Sequence, residues 1–220
     1  MGQVIEGGDC CECLEVLLLA GPRRGSGDMV TIQLEKVIAF VATVLIPSKK
    51  IRKGLRMKVL RALFTLKARK RAGSFGKNTK AVGPCVFSKR TFVGEGTLLG
   101  GIVVLGGGEV RIGNHVSTGP GLIIQTQNHE YEGDNLPYTN NCFVRKNVII
   151  DDCVWIGMNV SILPGTHIGE GAIIQMGSVV HGNIPPCAIA GGNPAKVFAW
   201  RDKARYEKLK VEKKYTAFGY

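Results

Sequence analysis

"VRKNVIIDDCVWIGMNVSILPGTHIGEGAIIQMGSVV" runs from Val144 to Val180. Counting by six from its first residue gives Val144, Ile150, Ile156, Ile162, Ile168, Ile174 and Val180, an unbroken aliphatic column. Six is not a helical period, and an antiparallel sandwich would show alternation in twos. A hexad of this kind is a short strand followed by a corner. Its apolar residue points inward and stacks on the same position one turn away.

The beat extends upstream. It falls on Phe75, Ala81, Phe87, Val93, Leu99 and Leu105, slips by one residue at Arg111, and continues at Ile112, Thr118 and Ile124. A second column, four residues after each beat, is mostly small or β-branched: Thr79, Cys85, Thr91, Thr97, Val103 and Glu109, then Val116 and Leu122, then Val148, Val154, Val160, Thr166, Ala172 and Ser178. Glycine often follows the beat, as at Gly94, Gly119, Gly157 and Gly169. Gly, Asn or Asp is expected at the strained corners. The fold class expected is all-β, a parallel β-helix.

The period breaks once. "IIQTQNHEYEGDN" (Ile123–Asn135) is polar where an apolar beat should fall, and Thr126 to Phe143 read as a loop projecting from rigid coils. Its centre is His129, flanked by Asn128 and by the acids Glu130, Glu132 and Asp134. A neutral imidazole can remove a proton near pH 7, and a carboxylate can orient it or hold hydroxyls. The other three histidines, His115, His167 and His181, sit at repeat positions. The four show no metal-ligand spacing, and no metal is expected.

The pattern of an aliphatic residue, Gly, two variable positions and a small residue resembles the hexapeptide repeat of the left-handed β-helix acyltransferases. That resemblance implies a left-handed coil, three hexads per turn, and a homotrimer with active sites between neighbouring prisms. "IGNHVSTGPGLIIQTQNHEYEG" (Ile112–Gly133) and "VWIGMNVSILPGTHIGEGAIIQMGSVVHGNIPPCAIAGGNPAKVFAWR" (Val154–Arg201) are similar to the maltose and galactoside O-acetyltransferase branch. The likeness covers Phe75 to Arg201. It puts His129 on the branch's catalytic histidine and implies acetyl-CoA as co-substrate. Trp155, Gly177, Ser178, Asn193, Pro194, Ala195, Lys196 and Arg201 fall on or near positions that shape the donor site. In that branch an asparagine two turns before the histidine helps bind the acceptor. Here "TLLGGIVVLGGGEV" (Thr97–Val110) holds none, so maltose is not the expected acceptor. The expected activity is transfer of an acetyl group from coenzyme A to a saccharide hydroxyl, the acceptor being a cell-surface polysaccharide or a lipid- or nucleotide-linked sugar precursor. Transfer to an amino sugar, a non-catalytic scaffold and a zinc carbonic-anhydrase-like protein are the alternatives.

The flanks differ in character. Of the chain's 220 residues, 1–74 form an extension, 75–200 the repeat domain and 201–220 a tail expected to be a helix capping the last coil. Net charge is +12, yet residues 72–196 hold eight basic and eight acidic residues. Eleven Lys/Arg and no acid fall within 49–71. The charge therefore belongs to the flanks, and a nucleic-acid-binding role for the whole chain is not supported. The ten-residue apolar run Val37–Ile46 is about half of a bilayer span. Beside the cations of 49–71, it suggests peripheral contact of 37–71 with an anionic membrane surface. Seven scattered cysteines, three of them in Cys10-Cys11-x-Cys13, point to a reduced, cytoplasmic protein without a disulfide framework. Residues 1–28 differ so much in composition that Met29 could be the natural start.

Overall fold

A computed structural model of the chain describes residues 4–6 and 49–216. The expectations for residues 7–48, including the apolar run Val37–Ile46 and the Cys10–Cys13 cluster, lie outside the described residues. So does the very end of the tail.

The repeat builds a triangular prism. Three parallel sheets of five, six and seven strands form its sides, and only the last strand of the seven-stranded sheet runs antiparallel. Successive turns stack in register: Ala81 on Leu99, Leu99 on Thr118, Thr118 on Ile156, Ile156 on Ile174, and Ile174 on Ala190. Most steps are 18 or 19 residues, three hexads, and the coil is the expected left-handed parallel β-helix. The aliphatic column is the core. Ile150, Ile156, Ile162, Ile168 and Ile174 are all fully buried, each worth about 1.5–3 kcal/mol in removed apolar surface. Apart from Val103 and Glu109, the second column is buried as well, and Thr79, Thr97 and Thr166 bond to the neighbouring turn. Thr97 Oγ1 donates to Gly113 O at 3.0 Å and accepts from Val116 N–H at 3.2 Å.

The register differs from the simple count in two places. Leu105 does not point inward; Val104 takes that place, stacked on Ile124, while Leu105 lies opposite Gln125. The hexad after Leu99 is one residue short, with Gly101 at φ +134°, and the next is lengthened around Gly106, Gly107 and Gly108. The two changes sum to the one-residue slip. Val144 also lies outside the column; it pairs with Asn128 in the inserted segment, and the inward beat restarts at Ile150.

One edge of the prism departs from the expected corner chemistry. Asn78, Gly96, His115, Cys153, Gly171 and Cys187 stack along it, all with φ between +52° and +69°. Backbone bonds such as Cys153 N–H to Asn114 O and Gly171 N–H to Asp152 O tie the stack together. Histidine and cysteine thus occupy a left-handed conformation that costs non-glycine residues about 1–2 kcal/mol.

Helix α1 (Lys49–Arg71) covers the first coil. Ala68 and Phe64 join the core, and Thr65 Oγ1 accepts from Ala81 N–H at 3.0 Å. Lys89 Nζ donates to Lys70 O and Ala72 O, placing a cation at the helix's negative end. Helix α2 (Lys203–Val211) starts at Asp202, whose carboxylate accepts from Arg205 N–H. It does not cap the last coil. The antiparallel hairpin Ala188–Gly192/Ala195–Trp200 closes that end, and α2 descends the left-handed edge. Tyr206 Oη donates to Glu170 Oε1 at 2.9 Å, Lys210 pairs with the same carboxylate at 2.6 Å, and Tyr215 stacks on His115 at 3.7 Å. The reason lies at Gly171, where a Cβ would stand 2.8 Å from the Tyr206 ring. The bare corner gives the helix its seat. No described helix is long and apolar enough to cross a membrane.

Candidate active site

The inserted stretch is more ordered than a loop. Gln127–Glu130 and Thr139–Arg145 form an antiparallel hairpin, with His129 opposite Phe143 and a register shift before the Glu130–Thr139 pair. Val4–Glu6 adds a third strand along Thr139–Arg145. The hairpin's base is bolted to the glycines that disturb the register. Thr126, fully buried, donates to Leu105 O at 2.9 Å and accepts from Gly108 N–H at 3.0 Å. Gln127 Oε1 accepts from Gly107 N–H at 2.9 Å. A Cβ on Gly106 would stand 2.7 Å from Thr126 Oγ1, and one on Gly107 2.9 Å from Arg145 Nε. The three glycines leave room for the strand that carries the histidine.

His129 is half-buried between two aromatic rings. Tyr138 stacks on it at 3.9 Å with 20° between planes, and Phe143 lies tilted at 4.7 Å. The Nδ1 atom is buried and makes no hydrogen bond among the described residues. The neighbouring acids do not supply one. Glu130 Oε1 accepts from Glu132 N–H, closing the turn on itself, and Glu132 and Asp134 lie exposed in that turn. Asn128, also exposed, accepts from Gln125 Nε2 at 3.2 Å. Tyr138 and Phe143 were hidden inside a stretch read only as polar loop; the aromatic spacing on either side of Asn140 and Asn141 was the available signal.

The expected donor residues divide. Trp155 and Arg201 share a groove of about 390 Å³ beside α2, lined also by His115, Ser117, Tyr206 and Tyr215. Trp155, 55% exposed, lies on the outer face of the seven-stranded sheet between Ser117 and Ile173. Arg201 stacks over the Tyr206 ring. Gly177, at φ +72°, has open space where a side chain would go. Ser178 is turned inward; its hydroxyl donates to Gln175 O and accepts from Gly192 N–H. Asn193 and Pro194 make the exposed turn joining Ala188–Gly192 to Ala195–Trp200, with Lys196 exposed just after it. His129 does not line the Trp155 groove. Its hairpin leaves the strand Leu122–Gln125 on the five-stranded side of the prism.

Three of the groove's groups are held toward their protonated forms. Burial raises the Cys153 thiol. Burial, then the bond to Glu170, raises the Tyr206 phenol. The bond to Glu170 raises the Lys210 ammonium. Among the described residues no group of three or more His, Cys, Asp or Glu could hold a metal ion.

The family model "Bacterial transferase hexapeptide (six repeats)" matches residues 147–182, the turns that carry the isoleucine column. Over these turns the chain is similar to the hexapeptide-repeat acyltransferases. Galactoside O-acetyltransferase of Lactococcus lactis is 36% identical over 89 residues, 40% of this chain and 41% of that protein. A putative acetyltransferase of Saccharomyces cerevisiae is 36% identical over 118 residues, 51% of this chain and 57% of that protein. The chain thus spans about half the length of these curated relatives. Among solved structures, a maltose O-acetyltransferase from Clostridium difficile superposes with a TM-score of 0.54 at 26% identity, over 76% of this chain and 84% of that one. The likeness to the Clostridium difficile structure is one of overall fold.

Proposed function

We propose that this chain is an acetyl-CoA-dependent O-acetyltransferase acting on a saccharide hydroxyl, with His129 as general base. The observation that carries this reading is the lone imidazole held rigidly between Tyr138 and Phe143 on a hairpin seated on the prism. In the reaction the acceptor oxygen attacks the thioester carbonyl as the imidazole takes the hydroxyl proton. The C–S bond then breaks, and the same proton reaches the departing sulfur to give the free thiol. No covalent acyl-enzyme is required, so donor and acceptor are bound together. A correctly placed base of this kind contributes about 10²- to 10⁴-fold in rate.

A homotrimer completes the site. A buried, unpaired ring nitrogen costs about 1–3 kcal/mol, so a group beyond the described residues is expected to meet Nδ1, and a neighbouring copy would supply it. The cleft between two prisms would bring the His129 hairpin of one copy to the Trp155 face of the next. Trp155 and the open backbone at Gly177 would flank the pantetheine arm. Lys196 and Arg201 would pair with its phosphates, and the turn Asn193–Ala195 would shape the donor site. Asn128, Glu130, Glu132 and Asp134 line the exposed turn where acceptor hydroxyls would be held. The similarity to galactoside and maltose O-acetyltransferases supports a sugar acceptor.

The test is a screen of free, nucleotide-linked and lipid-linked sugars with acetyl-CoA, read as thiol released, each hydroxyl sugar paired with its amino analogue. Turnover on a hydroxyl sugar is expected. Turnover confined to the amino analogues, or thioester consumption that no acceptor accelerates, would refute the reading.

A further inference from the structure

The N-terminal helix carries two apolar faces, and only one of them is used by the prism. Phe64 and Ala68, four residues apart, dock on the first coil together with Thr65. Roughly opposite, Leu55, Val59, Ala62 and Leu66 follow one another at spacings of four, three and four, which places them in one narrow stripe along the helix. Leu55 is 40% and Leu66 53% exposed, Ala62 is exposed and Val59 half-buried, and no other described element packs over the stripe. The exposed cations Arg56 and Lys67 flank the stripe on one side, and Lys58 and Arg69 on the other. The helix holds no acidic residue in its 23 positions.

We propose that this outward stripe of α1 is a docking surface for an anionic lipid bilayer. The chemistry fits one occupant. An interfacial helix sinks aliphatic side chains below the headgroups while flanking Lys and Arg stems reach back to the lipid phosphates. A second copy of the helix is disfavoured, because pairing these stripes would juxtapose two rows of cations with no acid to neutralise them. A nucleic acid would use the cations but has no place for Leu55 and Leu66, and the one ring beside a flanking cation, Phe75 under Arg69, belongs to the prism and packs on its core. The stripe faces away from the coil that α1 covers, so the prism and a membrane can hold the helix at once. The inference is independent of the reaction proposed above.

The experiment is vesicle flotation of the full chain, comparing pure phosphatidylcholine with phosphatidylcholine containing one-third phosphatidylglycerol. Leu55→Glu/Leu66→Glu removes the stripe, and Arg56→Gln/Lys58→Gln/Lys67→Gln removes three flanking charges. Both leave the docked face intact, checked by circular dichroism and assembly mass. Binding is expected on the anionic vesicles, weakened by high salt. Each cation near an anionic surface contributes about five-fold in partitioning, so the triple variant should bind ~100-fold more weakly. The double variant should lose at least ten-fold. Equal binding by the wild type and both variants would place any membrane contact elsewhere in the chain and overturn the proposal. So would failure to float with any vesicle, binding to duplex DNA in preference to vesicles, or stripe-dependent self-association without lipid.

Discussion

Replacing Tyr138 with alanine removes one of the two rings that hold His129. The Tyr138 ring lies 3.9 Å from the imidazole and within 20° of parallel, while Phe143 touches it at 4.7 Å from another direction. Stacked rings of this kind contribute about 0.5–1.5 kcal/mol beyond their buried area. At about 1.4 kcal/mol per tenfold, that is roughly a two- to thirteen-fold loss in the population of correctly placed imidazole. Phe143 is buried and stays, so the ring is loosened rather than freed. Turnover should therefore fall by that factor. Tyr138→Phe keeps the stack and should keep the rate. The assay is initial velocity by thiol release for both variants. Unchanged turnover in Tyr138→Ala would refute the positioning role. An equal loss in Tyr138→Phe would show that the phenol hydroxyl acts instead of the ring face.

Other outcomes follow from the stacked core and its edge. Ile156→Ala opens a cavity between Thr118 and Ile174 that fixed rungs cannot close, and should cost about 2–5 kcal/mol by urea unfolding. Ile149→Ala, on the outer face of the same prism, should cost about 0.5 kcal/mol. Gly171→Ala puts a Cβ against the Tyr206 ring and should release α2 to trypsin, whereas Gly177→Ala, at a similar φ but with open space, should not. Raised pH should also release α2. Tyr206 and Lys210 have folded pKa values above their ordinary 10.0 and 10.5, so their contribution is complete below about pH 10 and is lost as pH climbs beyond it. Tyrosinate absorbance should show one phenol resisting titration, and Tyr206→Phe should abolish that resistance.

The prism was legible because its signal is strictly local. Every sixth residue must point into the prism, so Ile150 to Ile174 announce themselves without knowledge of any contact. Leu105 and Val144 deceived the count because two compensating changes, one residue short after Leu99 and two long at Gly106–Gly108, leave almost the same total. His129 stood out because it interrupts a rule, while its aromatic neighbours did not, since stacking across a hairpin depends on a register shift that composition does not encode. The path of α2 was hidden for a similar reason. Its seat is assembled from His115, Cys153, Glu170 and Gly171, drawn from three turns of the coil, and only the folded edge puts them in line.

The most direct measurement is single-turnover acetyl transfer by His129→Ala, beside acetyl-CoA binding and assembly mass for the same protein. With an imidazole as the base, transfer should slow by about 10²- to 10⁴-fold while donor affinity and assembly stay as in the wild type. Transfer at the wild-type rate would contradict it and assign the proton to another group.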